Sequence, residues 1–256
     1  MLHSKSIIKY KIEIMNKNTF KLATLFLLTS IVVISGCDKK KLDLLPNGPT
    51  EANYFASETD FNRAVLGVYA KMSDFYQYNG DAPKSPMTIF LLPGDDITTN
   101  NSNEELEIFS PLQSASVRPT LLYSRLYQMI ARANVVLTKV DGPESAIYKT
   151  PNLKNSHKGE ALFLRGFANY YLWNYFGTAP LRNNRVTNAA DFRPSNSTGS
   201  QLLDQAIKDF TDAAALLPAS WDQANRGRVT ANSANGFLGK CLVFRASATN
   251  AAADYT

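Results

Sequence analysis

The run GEALFLRGFANYYLWNYFGTAPL at residues 159–181 decides the fold of this chain. Read at helical spacing, its apolar side chains cover nearly the whole circumference: Leu162, Phe163, Leu164, Phe167, Tyr170, Tyr171, Leu172, Trp173 and Phe176. Only a thin polar stripe of Lys158, Arg165 and Asn169 is left. A helix apolar on almost every side must be enclosed by other helices or by lipid. Lipid fits poorly, because Glu160, Arg165, Asn169 and Asn174 interrupt the run well short of the roughly 18 clean apolar residues of a span. Gly177 marks the end with a residue that tolerates positive φ, and Pro180 forbids resumption. Asn155 or Ser156 can cap the start.

Partner helices flank the run on both sides. Thr120, following Pro119, is placed to cap a helix whose stripe is Leu122, Leu126, Met129, Ile130, Ala133, Leu137 and Val140, ended by Asp141-Gly142-Pro143. Downstream, Leu203, Ala206, Ile207, Phe210, Ala213, Ala214 and Leu217 define a helix stopped by Pro218, with Asp204 and Lys208 spaced to pair on its outer face. A last helix starts near Thr230 and places Cys241 on its apolar face, as a buried inert thiol. Upstream, Ser57 and Asp60 form an acidic variant of a capping box ahead of Phe61, Ala64, Val65, Val68, Tyr69 and Met72. The short apolar run at residues 87–92 suits strand or helix, and other strand signals are almost absent. The expected class is therefore all-α, with helical hairpins stacked side by side. Their uneven spacing is only loosely that of a tetratricopeptide array.

The N-terminus carries a different message. Residues 15–37, MNKNTFKLATLFLLTSIVVISGC, give a lysine-bearing start, an apolar core from Leu22 to Ile34 and small residues before Cys37. This is the pattern of a secretory signal. Ile34-Ser35-Gly36-Cys37 resembles a bacterial lipoprotein cleavage site, which predicts an acylated Cys37. Acyl chains would hold the protein stably, at about 0.8 kcal/mol per buried methylene. The basic stretch ahead of Met15 points to Met15 as the start. The expected organisation is an extension and signal at 1–36, lipidated cysteine and polar tether at 37–53, and a helical domain at 54–256.

Charge excludes one class of partner. The 256 residues carry 27 basic and 22 acidic side chains, for a net charge of +5. Removing the five lysines and one glutamate of residues 1–36 leaves 22 basic against 21 acidic, so no basic footprint for nucleic acid remains. Two cysteines, Cys37 and Cys241, support neither a disulfide framework nor a thiolate zinc site.

Two loops carry groups suited to a ligand. Residues 75–86, FYQYNGDAPKSP, read as a loop in which Tyr76, Tyr78 and Asn79 could stack on and hydrogen-bond a sugar. An ordinary packed loop accounts for the same residues. Residues 95–103, DDITTNNSN, place Asp95 and Asp96 beside Asn100 and Asn101. Such groups suit hydroxyl recognition, while the ligand spacing of a calcium loop is absent, so no metal is expected. No catalytic constellation is visible. His157, at or near a helix start, has no serine or cysteine partner in a recognisable elbow, and Glu104, Glu105 and Glu107 read as a charged helix face. No phosphate loop or dinucleotide fingerprint appears, so no cofactor is implied.

Taken in order, these residues resemble the SusD/RagB family of Bacteroidetes lipoproteins. The resemblance runs through Cys37, Leu42-Asp43 and Pro46; through the first helix from Phe61 to Tyr69; through Tyr127, Ile130 and Ala133-Asn134. It is densest in the opening run, at Gly159-Glu160-Ala161, Phe163-Leu164-Arg165, Tyr170-Tyr171-Leu172, Phe176-Gly177 and Pro180-Leu181. Leu216-Leu217-Pro218 and Gly227-Arg228-Val229-Thr230 also match. The resemblance implies tetratricopeptide-like helix pairs in a non-enzymatic, lipid-anchored protein of the outer membrane. It would face the cell surface and bind an oligosaccharide or related nutrient beside a TonB-dependent, SusC-like transporter. It also implies a chain about twice this long, of which this would be the N-terminal half. Lys39, Lys40 and Lys41 depart from the acidic residues that follow the cysteine in surface-exported members. A secreted glycoside hydrolase and a helical-repeat adaptor for proteins are the competing expectations.

Overall fold

The computed structural model describes residues 21–22, 25–26, 50–76, 88–94, 96–98 and 105–249. The chain divides into two units, Met1–Thr50 and Glu51–Thr256. In the first, residues 21–22 and 25–26 are helical; Cys37 and the cleavage motif lie outside the described residues.

Among its described residues the second unit has five long helices: α1 Glu58–Tyr76, α2 Val117–Asp141, α3 Leu153–Phe176, α4 Gln201–Leu216 and α5 Ala231–Thr249. No strand occurs among the described residues, and none of their helices is long and apolar enough to cross a membrane. Each helix packs on the next in sequence, and α1 also reaches α3. The hairpins α2/α3 and α4/α5 therefore stand side by side, as the periodicity requires, with α3 in the middle.

The opening run explains this centrality. Phe163, Phe167 and Tyr170 are each at most 2% exposed, and Phe163 meets Phe210 of α4 and Phe237 of α5 with ring centroids 5.3 and 5.5 Å apart. Burying a side chain of this size contributes about 1.5–3 kcal/mol. These aromatics are core, and none of the three is available to stack on a ligand. Close approach of α4 depends on two glycines of α3. A Cβ on Gly159 would stand 2.8 Å from Leu217 Cγ, and one on Gly166 would stand 3.1 Å from Asp209 Cβ.

Several boundaries differ from the sequence expectation. Ser57 does cap α1: its hydroxyl bonds the Asp60 carboxylate at 2.5 Å and accepts the Asp60 amide at 3.3 Å. That helix continues through Phe75 and Tyr76, the first two residues of the expected loop, whose remainder lies outside the described residues. Residues 51–53, read as the end of the tether, belong to a helical turn, Glu51–Tyr54, that delivers Phe55 onto Phe61, ring centroids 4.8 Å apart. Helix α2 starts at Val117 rather than at Thr120; Pro119 sits in its first turn, where a missing amide costs nothing, and Thr120 Oγ1 donates to Ser116 O at 2.9 Å. Helix α3 starts at Leu153, because Asn152 adopts φ +62°, a left-handed conformation that asparagine tolerates. Gly177 closes α3 at φ +68° as expected, its amide donating to Trp173 O at 2.8 Å. Within the apolar run at 87–92, Thr88–Leu91 form a helical turn. Residues 105–109 form a turn rather than a charged helix face. Asp204 and Lys208 do not pair: Lys208 takes Asp212 at 2.6 Å, while Asp204 takes Arg245 at 3.2 Å.

Candidate functional site

The polar stripe of α3 is the structural surprise, because it is not a solvated face. Arg165 is buried and its guanidinium is shared among three elements. Nε and Nη2 donate to the two carboxylate oxygens of Asp209 on α4 at 2.9 and 2.7 Å. Nη1 donates to Asn134 Oδ1 on α2 and to the carbonyl of Asn183, both at 2.9 Å. Four of the five guanidinium hydrogens are thus committed to protein acceptors. Burial pushes the Asp209 carboxyl upward, and the bonds and charge of Arg165 with the Gln205 amide pull it back.

Asn134 extends this network. Its Nδ2 donates to the carbonyls of Arg182 and Asn184 at 3.0 and 3.1 Å, pinning the segment after α3 across α2. Tyr127 does the same two turns earlier, donating to Pro180 O at 2.6 Å. The family-like residues Tyr127, Asn134 and Arg165 therefore hold one connection in place.

Above this floor opens a cleft of about 620 Å³ between α2, α3 and α4, within the size range of ligand sites. Thr138 and Asp141 of α2, Lys158 of α3, Asn184, and Lys208 and Asp212 of α4 contribute its polar rim. Lys158 pairs with Asp141 at 2.7 Å and Lys208 with Asp212 at 2.6 Å. Donors and acceptors of both signs thus face one space, which suits hydroxyl-rich ligands. Asn169, the third residue of the stripe, is fully buried and does not line the cleft.

A second buried ion pair secures the opposite side of α3. Arg228 donates through Nε and Nη2 to Glu160 at 2.6 and 2.9 Å, and Tyr69 adds a bond to the same carboxylate at 2.9 Å. Burial raises the Glu160 carboxyl against these partners. Val229 N donates to Tyr69 Oη at 3.0 Å, so the Gly227-Arg228-Val229-Thr230 segment is tied to α1 and α3. Thr230 and Ser233 then exchange amide-to-hydroxyl bonds at 3.2 Å, capping α5, which starts near Thr230 as expected.

His157 is in the first turns of α3, fully buried, with Nδ1 2.8 Å from Tyr148 Oη. Burial, then the Arg228 charge, depress its pKa to about 4. It is neutral near pH 7 and out of reach of any substrate. Burial pushes the Cys241 thiol up to about 12, so it is an inert core residue. Among the described residues no cluster of three or more histidine, cysteine, aspartate or glutamate side chains could hold a metal.

Of the ligand residues expected from sequence, Tyr76 is the last residue of α1 and Asp96 is exposed beyond the Thr88–Leu91 turn. Tyr78, Asn79, Asp95, Asn100 and Asn101 lie outside the described residues, as does Cys37. The cleft residues Thr138, Asn184 and Lys208 were not anticipated. The available signal was the pair Lys158 and Arg165, seven apart on an otherwise apolar helix.

Comparison with known proteins agrees with this architecture. A family model described as SusD-like, starch-binding and associating with the outer membrane matches residues 42–243. A SusD-like protein of Formosa agariphila is 22% identical over 192 residues, covering 69% of this chain and 34% of that protein. A laminarin-binding SusD-like protein superposes with a TM-score of 0.65 at 24% identity, covering 77% of this chain and 42% of its own. A surface glycan-binding protein of Bacteroides uniformis gives a TM-score of 0.62 at 18% identity, covering 75% and 43%. The chain thus spans between a third and a half of the length of these relatives. On the family match and the shared helical architecture, the chain belongs to the SusD-like family.

Proposed function

We propose that this protein is a non-enzymatic glycan-binding lipoprotein, anchored in the outer membrane through Cys37 and facing the cell surface. It passes oligosaccharide to a SusC-like, TonB-dependent transporter. The observation that carries the binding reading is the cleft over Arg165: a polar floor whose hydrogen bonds are already made, beneath a rim of amide, hydroxyl and paired charges. A preorganised site of this kind binds without paying to order its own side chains. The family description and the binding named for the laminarin and surface-glycan relatives support it. The partner and the anchor rest on the resemblance and on the cleavage motif.

Two places can take the glycan: the end of α1 with the stretches that carry Tyr76, Tyr78, Asn79, Asp95, Asp96, Asn100 and Asn101, and the cleft. Calorimetry with a panel of neutral and acidic oligosaccharides, using the full chain, separates them. Alanine at Tyr76, Tyr78, Asn100 and Asn101 removes the first; alanine at Thr138, Asn184 and Lys208 removes the second. Affinity unchanged in both variants would refute both placements. Cys37→Ser should move the protein from the membrane to the soluble fraction, and retention in the membrane would refute the anchor.

A further inference from the structure

The cleft does not end at Asn134. Beyond the bridge that Asn134 makes to the carbonyls of Arg182 and Asn184 lies a second hollow of about 350 Å³ along α2, and Asn134 and Asn184 line both spaces. The two differ in kind. The cleft has a rim of hydroxyl, amide and paired charges, whereas most of the surface of the hollow is apolar, from Tyr127, Ile130, Val135 and Val186, with Arg182 and Arg185 completing the lining. The step between them is fixed, because Asn134 accepts from Arg165 and gives both amide hydrogens to the two carbonyls. One wall of the hollow is aromatic. Tyr127 commits its hydroxyl to Pro180 O at 2.6 Å, so it meets the hollow as an apolar ring. That ring is the last of a row: Phe176 meets Tyr123 with centroids 5.2 Å apart, and Tyr123 meets Tyr127 at 4.8 Å. Of the three, Tyr127 alone lines the hollow. A further ring seated there would continue the row at the spacing of about 4.5–7 Å that aromatic pairs prefer.

From this arrangement we infer that the glycan carries an aromatic group, joined to a sugar through an ester or a glycosidic oxygen. Its sugar rings lie in the cleft, and the aromatic ring passes the Asn134 and Asn184 bridge into the hollow beside Tyr127. Continuity selects this occupant first: the hollow shares residues with a hydroxyl-matching cleft, so one ligand that fills both has a polar part and an apolar part. Size selects the ring over a methyl or acetyl group. An apolar cavity of roughly 150 Å³ already takes a benzene ring, so the hollow has room for a ring with its linkage, and a smaller substituent would leave most of it unfilled. The aromatic row favours a flat ring over an aliphatic chain, because edge-to-face and offset contacts add to simple burial. The step is already ordered, so binding does not have to order it.

The inference rests on the glycan-binding reading, and its test separates the two. Methyl and p-nitrophenyl glycosides of malto-, laminari- and xylotetraose are titrated calorimetrically into the full chain, which places the ring at the reducing end. Feruloylated arabinoxylo-oligosaccharides, beside the same sugars after saponification, place it on an ester. Cyclohexyl glycosides of the same tetraoses and methyl ferulate complete the set. At least one aromatic ligand should bind about ten- to a hundredfold more tightly than its ring-free partner, the worth of burying one ring, and with a more negative heat capacity change. Ala131→Trp on α2 and Val186→Trp on the segment after α3 each fill the hollow from its lining, and each should erase that difference, with circular dichroism checking that both fold. No advantage in any pair, cyclohexyl glycosides as tight as the aryl ones, or an advantage that survives both substitutions would overturn the aromatic assignment and leave glycan binding standing. Methyl ferulate displacing the aromatic glycan at equal concentration would make the hollow a site for a free aromatic compound and also overturn it. Binding by none of the sugars would overturn the glycan reading itself.

Discussion

Replacing Arg165 with methionine tests the centre of this architecture. The Asp209 side chain it pairs with is 1% exposed, so the change strands a carboxylate that keeps only the Gln205 amide, at 2.8 Å. Asn134 Oδ1 and the Asn183 carbonyl lose their donor as well. Breaking a buried pair from one side costs about 3–5 kcal/mol, a large share of the roughly 5–15 kcal/mol that holds a domain together. The penalty should depend on pH with a definite sign. Burial already raises the Asp209 carboxyl, and removal of the guanidinium raises it further. A folded-state pKa above the unfolded one means that protonation favours the folded form, so the defect is largest at neutral pH and shrinks on acidification. The double variant Arg165→Met/Asp209→Leu, which removes both charges, should recover most of the loss. Its cleft has nevertheless lost the anchor of Asn183, so glycan affinity should stay low. Urea unfolding followed by circular dichroism at pH 7 and pH 5 reads all three stabilities. A loss under about 1 kcal/mol in the single variant, or a double variant no more stable than the single, would refute the reading of Arg165 as a keystone.

Other consequences are smaller and independent. With a pKa near 4 against the ordinary 6.5, His157 binds its proton in the unfolded chain first. Stability should therefore fall as pH drops from about 6.5 towards 4, by about 2 kcal/mol at pH 5, and His157→Gln should flatten that slope in parallel urea titrations. Gly159→Ala should destabilise by about 1–3 kcal/mol, because the new methyl meets Leu217 Cγ at 2.8 Å. Gly236→Ala on α5, where a Cβ meets nothing within 4 Å, should instead stabilise by about 0.4–1 kcal/mol; equal signs in thermal melts would contradict the packing. In a Cys37→Ser background, Cys241 should resist maleimide in the folded chain and react once urea unfolds it.

The helices were legible in the sequence because burial imposes a period. Phe61 to Met72, Leu122 to Val140 and Leu203 to Leu217 each repeat at helical spacing, and each became a helix packed on its neighbour. Starts were less legible. One helix opens after a left-handed Asn152 and the other at Val117 with a proline in its first turn, so the caps expected at Asn155 or Ser156 and at Thr120 lie inside the helices. The cleft was illegible for a different reason. Arg165, Asn134, Asp209 and Asn183 come from four places in the chain, and no local spacing says that one guanidinium will gather them. The pairing of Lys208 failed likewise: Asp204 and Asp212 are equally spaced from it along α4, and tertiary contact with Arg245 on α5 decides which one it takes.

Binding without turnover is the central claim, and one measurement reaches it directly. The full chain is titrated calorimetrically with the best oligosaccharide of the panel, and the sugar is then recovered and sized by chromatography. Saturable binding with the oligosaccharide returned at its original length is the predicted result; shortened products, or no heat with any glycan, would contradict it.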